Sequence, residues 1–230
     1  MTHPLKEWFA RWNAPTREIF PPWVDQVVKV IGLCVVLGGG YATALVAYGA
    51  SPKTTDVGYA PEQPIPYSHA LHVGQLGLDC RYCHTSVEET AKANIPPTAT
   101  CLNCHTAVLN DSPRLQPLRD SRDTGLPVRW VRVHSLPDYA YFNHSAHVKR
   151  GVGCVSCHGR VDTMEVVRQE EPLSMAWCVD CHRHPEKHLR PPEEVTNMTW
   201  RPEGDPAEFG AAMRAKYHIN PPTDCSTCHR

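Results

Sequence analysis

The hydrophobic positions of the chain are concentrated in one continuous stretch near its N-terminus. Residues 31–50 read Ile-Gly-Leu-Cys-Val-Val-Leu-Gly-Gly-Gly-Tyr-Ala-Thr-Ala-Leu-Val-Ala-Tyr-Gly-Ala and contain no charged side chain. As a helix this stretch would measure roughly 30 Å, which matches the hydrocarbon thickness of a bilayer. The pattern predicts a transmembrane helix over residues 31–50.

Beyond residue 50, prolines interrupt the sequence repeatedly. They are clustered within 61–66, 96–97, 191–192 and 221–222. Proline lacks a backbone N–H and its ring clashes with the preceding helical turn, so long helices are not expected here. We therefore expect a mainly α fold with extensive irregular structure, built from short helices and loops.

The composition supplies little material for a core made of protein alone. The 230 residues include 4 Phe and 41% hydrophobic residues, against 11 Cys, 14 His and 22 Pro. This balance suggests that something other than side chains fills the interior. The formal net charge of -1 gives no argument for a nucleic-acid partner.

The cysteines form a repeated motif. Ten of the eleven make up five Cys-x-x-Cys pairs, and a histidine follows each pair directly. The pattern is typical of c-type haem attachment, in which two cysteines form thioether bonds and the histidine binds the iron. In chain order, the first to fifth motifs are Cys80, Cys83 and His84; Cys101, Cys104 and His105; Cys154, Cys157 and His158; Cys178, Cys181 and His182; and Cys225, Cys228 and His229.

Other kinds of site also use Cys-x-x-Cys pairs. Zinc knuckles, disulfide frameworks and thioredoxin-like redox pairs do so, but none of them requires a histidine after every pair. We therefore predict five haems c, with the ten cysteines as thioether ligands and the five motif histidines as proximal iron ligands. Because a haem is a large apolar plate, a haem-filled core follows from this prediction.

Two His-x-x-His pairs precede haem motifs at nearly equal distances, and we predict that they supply distal iron ligands. His69 and His72 precede Cys80, and His144 and His147 precede Cys154. On a helix such side chains lie near each other on one face, yet they point differently enough to serve two haems. The two matching segments are Tyr67-Ser-His69-x-x-His72-Val73 with Gly77, and Phe142-Asn-His144-x-x-His147-Val148 with Gly151.

The spacing of the motifs indicates two dihaem modules and one terminal haem. The first and second motifs start 21 residues apart and the third and fourth 24 apart, whereas the other gaps are 53 and 47 residues. The predicted divisions are a cytoplasmic segment 1–30, a transmembrane helix 31–50, a linker 51–66, a first dihaem module 67–140, a second dihaem module 141–190 and a fifth-haem segment 191–230.

The distal ligand of the fifth haem is left open by the sequence. His134, His218 and Met175 are the candidates, and His184 and His188 are less favoured because they lie in a charged turn. Met175 would give a His/Met haem with a raised potential, or it packs against porphyrin. His134 is a ligand, or it is hydrogen-bonded near the propionates.

Basic residues predict the orientation of the apolar helix. Four precede residue 31, whereas one follows residue 50 closely, so the N-terminus is expected inside and the haem domain outside. This predicts a single-pass protein of the cytoplasmic (inner) membrane with its haems on the periplasmic side. A cleaved export signal ending near residues 47–49 is the alternative. The basic residues are Lys6, Arg11, Arg17 and Lys29 before the stretch, and Lys53 after it.

The two His-x-x-His segments before Cys80 and Cys154 resemble those of c3/c7-like multihaem cytochromes, and they occur here together with a single N-terminal membrane helix. The segments 133–144 (Val-His-Ser-Leu-Pro-Asp-Tyr-Ala-Tyr-Phe-Asn-His) and 174–183 (Ser-Met-Ala-Trp-Cys-x-x-Cys-His-Arg) make the chain similar to the pentahaem cytochrome subunit of alternative complex III, a quinol:electron-acceptor oxidoreductase. That resemblance implies an assembly with an iron–sulfur protein, polytopic quinol-oxidising membrane subunits and a monohaem cytochrome c.

The ligand count favours electron transfer over catalysis. Seven good distal candidates for five irons suggest that every iron is six-coordinate, so no open site for a substrate is expected. We predict a non-enzymatic relay subunit that passes electrons to a periplasmic carrier or a terminal oxidase. The alternative is a stand-alone, membrane-anchored quinol dehydrogenase that feeds periplasmic reductases. Such proteins place their first haem motif close to the membrane helix, whereas residues 51–79 separate the two here.

Overall fold

The apolar stretch lies in one long helix, α1 (Trp23–Gly49), of 27 residues. The structure is a computed structural model that describes residues 20–21, 23–49 and 56–229. Helix α1 begins eight residues before Ile31 and so includes Asp25 and Lys29. Charged side chains near the end of a helix do not end the helix. The charge-free stretch from residue 31 onwards therefore marks only its apolar part. In the described ranges, α1 is the one helix long and apolar enough to cross a membrane.

The chain divides into two units, residues 1–51 and 52–230. The described part of the second unit contains short helices and irregular segments, with two isolated β-bridges and no strand. Its α-helices are α2 (Cys80–Cys83), α3 (Thr98–His105), α4 (Gln116–Thr124), α5 (His144–Val148), α6 (Val155–His158), α7 (Met175–Arg183), α8 (Pro206–Lys216) and α9 (Cys225–Cys228). A π-helical turn covers Ala70–Gln75, and 3-10 turns cover Pro113–Leu115, Val161–Thr163, Pro185–His188 and Pro192–Glu194.

Polar side chains cap four of the helices that carry a haem motif or a His-x-x-His pair. Asp79, Asn143, Ser174 and Asp224 each accept a hydrogen bond from a backbone N–H in the first turn of the helix that follows. Such N-caps satisfy donors that have no partner within the helix. Asp79 and Asp224 directly precede a motif cysteine, and Asn143 directly precedes His144, so these caps fix where the functional helices begin.

Few apolar side chains are buried in the second unit. One cluster joins Leu189, Met213 and Ile219, with Phe209 and Tyr217 packed against it. It holds α8 against the 3-10 turn Pro185–His188. This packing stabilises the C-terminal part of the unit.

Candidate haem-binding sites

Each motif lies on one turn of helix or at its edge. In the first, third and fifth motifs the N–H of the histidine donates to the carbonyl of the first cysteine, which closes a single helical turn. This turn sets the spacing of the two thiols and the imidazole. The second and fourth motifs lie entirely within α3 and α7. None of the ten motif cysteines forms a disulfide in the described chain. The three closing bonds join His84 to Cys80 at 2.9 Å, His158 to Cys154 at 3.0 Å, and His229 to Cys225 at 2.8 Å.

Backbone carbonyls fix the imidazoles of four motif histidines. A carbonyl oxygen only accepts, so each Nδ1 must carry the proton, and Nε2 keeps the lone pair that binds a metal. This is the form of histidine that an axial iron ligand requires. The bonds run from Nδ1 of His84 to Asn94 O at 2.7 Å, of His105 to Val108 O at 2.9 Å, of His182 to Pro222 O at 2.6 Å, and of His229 to Tyr139 O at 3.1 Å.

Three of the predicted distal histidines are held in the same way. Nδ1 of His72 donates to Ser68 O at 2.8 Å, and Nδ1 of His147 donates to Asn143 O at 2.7 Å. Nδ1 of His144 reaches a distant segment and donates to the carbonyl of Ala91 at 2.9 Å. Their Nε2 atoms are therefore also left as acceptors.

Three of these distal candidates face a motif histidine across a gap. Two metal–imidazole bonds of about 2 Å each separate the bound nitrogens by about 4 Å, and the ring centroids lie further apart still. The observed separations match that requirement, so each pair fits one iron with two axial imidazoles. The pairs are His72 with His105 at 6.2 Å, His147 with His182 at 6.1 Å, and His144 with His158 at 6.5 Å.

The two similar sequence segments also have the same local geometry. Tyr67 stacks on His72 with centroids 4.4 Å apart and meets His69 edge-on at 4.8 Å. In the second segment Phe142 stacks on His147 at 4.5 Å and meets His144 edge-on at 4.8 Å. The aromatic residue therefore orients both histidines in each segment. Gly77 and Gly151, which follow the two segments, have left-handed φ angles of 71° and 76°.

His69 is buried beside the first motif. Its Nδ1 has no hydrogen-bond partner among the described residues. Burial lowers the pKa of His69 to about 4, and the neighbouring imidazoles of His84 and His72 lower it further. His69 is thus a neutral imidazole next to the first motif's histidine, which is what a distal ligand there requires.

The third motif has two additional imidazoles near its histidine. His134 meets His158 edge-on with centroids only 4.4 Å apart, which is too close for an iron between the two rings. Its Nε2 is buried and has no hydrogen-bond partner within the described ranges. Burial lowers the pKa of His158 to about 3, and His134 and His144 contribute to this shift. His134 therefore lies at the third motif, whereas the sequence offered it for the fifth.

The remaining candidates for the fifth iron lie in different surroundings. His218 has a left-handed φ of 51° and lines a cavity of about 490 Å³ with Glu186 and Arg214. Met175 begins α7 and is 65% exposed. The ring nearest to His229 in the described part of the chain is that of Tyr139, at 5.9 Å.

Thiols of the first motif lie near those of the second and third. Burial raises the pKa of the Cys83 thiol, and the nearby Cys101 raises it further. Burial likewise raises the pKa of Cys80 to about 11, with Cys154 as the next contributor. A hydrogen bond of 3.1 Å from Asn103 to the hydroxyl of Tyr82 also joins the first two motifs.

Thiols of the fourth motif lie near those of the third and fifth. Burial raises the pKa of Cys157 to about 12, and Cys181 and Cys178 add to the effect. Burial raises the pKa of the Cys178 thiol, and the nearby Cys228 raises it further. The first motif is therefore a neighbour of the second and third, and the fourth motif is a neighbour of the third and fifth.

Sequence reasoning missed one buried charged residue beside the third motif. Arg190 is only 6% exposed, and a Cβ at Gly153 would overlap its guanidinium. A single arginine in a proline-rich segment resembles any surface arginine, so no sequence signal distinguished it. The carbonyls that orient the histidines were also invisible, because every residue has one.

Two comparisons with known proteins agree with this geometry. Residues 140–230 match the family model for cytochrome c7 and related cytochrome c. Over 98 residues the chain is 37% identical to the multiheme cytochrome c subunit of menaquinone reductase from Nitratidesulfovibrio vulgaris strain Hildenborough. That match covers 42% of this chain and 46% of the relative, so the chain spans about half the length of the curated relative it matches.

The predicted fold class is confirmed. The described chain is mainly helical and has one N-terminal apolar helix, and its C-terminal part is similar to c7-type cytochromes. These similarities support the resemblance to multihaem cytochromes c that was inferred from the sequence. Residues 140–230, which hold the last three motifs, are a c7-like multihaem cytochrome c domain by this similarity.

Proposed function

We propose that this chain is an electron-transfer subunit that carries five haems c within a membrane-bound, quinol-oxidising respiratory complex. The observation that carries the proposal is the set of facing imidazole pairs, 6.1 to 6.5 Å apart, each consisting of one motif histidine and one distal candidate. Two facing imidazoles suit a six-coordinate iron, which exchanges electrons without binding a substrate.

The ten motif cysteines would hold the haems through thioether bonds, and the five motif histidines would be the proximal ligands. Each haem, when bound, supplies a one-electron redox centre. The facing pairs support His72, His147 and His144 as distal ligands for the second, fourth and third irons. The position of His69 supports it for the first iron. His218 and Met175 remain the candidates for the fifth, with His134 less favoured by its place beside His158.

The order of the motifs supports a single row of redox centres. In such a row the second motif would lie at one end and the fifth at the other, with the third in the middle. Electrons would then enter near one end and leave near the other. The chain itself would act as a relay and not as a catalyst, because every iron would have two protein ligands.

The resemblance of segments 133–144 and 174–183 supports a complex of the alternative complex III type. The partners would be an iron–sulfur protein, polytopic quinol-oxidising subunits and a monohaem cytochrome c. Helix α1 would remain uncleaved as a single-pass anchor in the cytoplasmic membrane, with the haems on the periplasmic side. The named relative belongs to a menaquinone reductase, which supports a quinone-linked complex in general.

The decisive experiment is mild detergent extraction, followed by native electrophoresis with haem staining and mass spectrometry of the stained band. We expect the chain to migrate with membrane partners and to carry five haems by intact mass. If the chain migrates alone and still oxidises quinol, the stand-alone quinol dehydrogenase is the correct function.

A further inference from the structure

Arg190 is a buried cation without a carboxylate partner in the described part of the chain. Its Nη1 donates to the carbonyl of Asn197 at 2.8 Å and, at 3.5 Å, to that of Glu194. Its Nε is buried and has no hydrogen-bond partner within the described ranges. The guanidinium also lies over the ring of Trp200, 5.3 Å from the centroid.

These contacts only partly compensate for burial of a charge. Moving an ion from water into a protein costs several kcal/mol of free energy. Two carbonyl contacts and an aromatic face offset less of this cost than a paired carboxylate would. Burial lowers the pKa of Arg190, yet arginine stays protonated in proteins. The positive charge is therefore retained inside the protein at a cost to stability.

The backbone holds this charge at the third motif. The N–H of Arg190 donates to the carbonyl of Gly151 at 2.9 Å, and a β-bridge joins Val152 to Leu189. Gly153 lies against the guanidinium, where any side chain would overlap it. Gly153 directly precedes Cys154, so the charge lies at the edge where the thioether bonds of the third motif would form.

We propose that Arg190 raises the reduction potential of the haem attached at Cys154 and Cys157. The inference rests on the proposed function, because it requires a haem at that motif. Oxidised haem carries one more positive charge than reduced haem, so a fixed cation disfavours the oxidised form. The effect is strong inside a protein because the interior screens charge weakly.

The haem's own propionates do not neutralise this charge in our proposal. They project from a different edge of the macrocycle than the vinyl groups that the cysteines bind. Besides burial, which lowers the pKa of Arg190 most, the groups that shift this pKa are Cys154, Arg201 and Glu194. Of these, only Glu194 is an anion under ordinary conditions, and it contacts the guanidinium through its backbone carbonyl rather than as an ion pair.

The test is a spectroelectrochemical titration of the full-length, haem-loaded protein. Arg190→Met should shift one of the five midpoint potentials downward, with smaller shifts at the others. Arg190→Gln, which keeps a hydrogen-bond donor but removes the charge, should give the same shift. Arg190→Lys should restore most of the original potential because it keeps the charge.

Arg160→Met is the matched control. Arg160 lies just after the third motif but is exposed and paired with Asp162 at 2.7 Å, so its removal should leave all five potentials unchanged. Five-haem Met and Gln variants with unshifted potentials would overturn the proposal. Failure of both uncharged variants to fold would also overturn it, because Arg190 would then be a purely structural residue. A haem count below five in the unsubstituted protein would instead refute the proposed function.

Discussion

The imidazoles of His147 and His182 lie with their ring centroids 6.1 Å apart, and both Nδ1 atoms are tied to backbone carbonyls. The two rings come from α5 and α7, and each has its Nε2 free. The pair is thus oriented by the polypeptide itself. Haem attachment would then require little rearrangement of either ring.

If the chain carries the five proposed low-spin haems, replacing His147 by Ala should convert one of them to a high-spin form. The fourth iron would lose its distal ligand while its proximal ligand His182 stays in place. Electron paramagnetic resonance and the optical spectrum of the oxidised protein measure the change. His184→Ala is the control, since His184 is exposed at the end of α7 and should leave the spectrum unaltered. A fully low-spin His147→Ala protein would rule His147 out as the ligand.

Replacing Cys154 by Ser should lower stability as well as weaken haem attachment. The described part of the second unit buries few apolar side chains, so under the proposed function a haem would contribute much of the core at each motif. The loss should be at least about 3 kcal/mol, as for removal of a buried aromatic side chain. For a chain of this size that corresponds to a melting temperature lower by roughly 10 °C. A stable four-haem protein that melts like the original would contradict the haem-filled core.

Replacing Gly151 by Ala should destabilise the protein more than replacing Gly77. Both glycines have left-handed φ angles, for which alanine costs about 1 kcal/mol. At Gly151 a Cβ would also overlap the carbonyl of Arg190, whereas the space at Gly77 is open. We expect about 1 kcal/mol for Gly77→Ala and about 3 kcal/mol for Gly151→Ala, from urea unfolding. Equal losses would show that the close approach to Arg190 is unimportant.

Asp79 should stabilise the first motif in a pH-dependent way. Hydrogen bonds from Arg81 are the main cause that lowers the pKa of Asp79 to about 2, and Thr196 adds a further bond of 3.0 Å. A carboxyl whose pKa is lowered on folding stabilises the protein above its unfolded pKa, near 4, and this contribution disappears as the pH falls through 2.

The variant Asp79→Asn tests this dependence, because asparagine keeps the helix cap but not the charge. The carboxylate is partly exposed, so we expect a loss of less than about 1 kcal/mol at pH 7. The difference between the two proteins in melting temperature should shrink as the pH falls through 2 and vanish below it. A difference that persists unchanged there would mean that the charge of Asp79 is not responsible.

The purified protein should retain α1. An uncleaved anchor requires residues 23–49 in the mature chain and extraction by detergent but not by alkaline carbonate. Intact mass spectrometry distinguishes this outcome from a cleaved export signal, which would leave a mature N-terminus near residue 50. Recovery of the shorter chain in the soluble fraction would refute the membrane anchor.

The sequence alone predicted the features that depend on local spacing. The five motifs follow from a fixed arrangement of three residue types, and the similar geometry of the two His-x-x-His segments follows from Tyr67 and Phe142 in equivalent positions. Helix α1 was predicted, but its start at Trp23 was not. Hydropathy detects the apolar residues of a helix, and it does not show that the helical backbone extends beyond them through charged residues. The irregular, short-helix architecture followed from the prolines.

Features that depend on long-range packing were not predictable. His134, one candidate for the fifth iron, lies beside His158, a neighbourhood that spacing along the chain does not indicate. The burial of Arg190 depends on a glycine from a different segment. The backbone carbonyl of Ala91, which orients His144 from 53 positions away, has no signature in the sequence.

In the proposed row of redox centres, the third motif would be the middle member. Every electron would then pass its haem, whichever end it entered. A change of potential at either end would alter exchange with one partner alone. A change of potential at the third motif would alter the rate of electron flow through the whole row. That rate would then depend on the surroundings of Gly153, which is far along the chain from the second and fifth motifs.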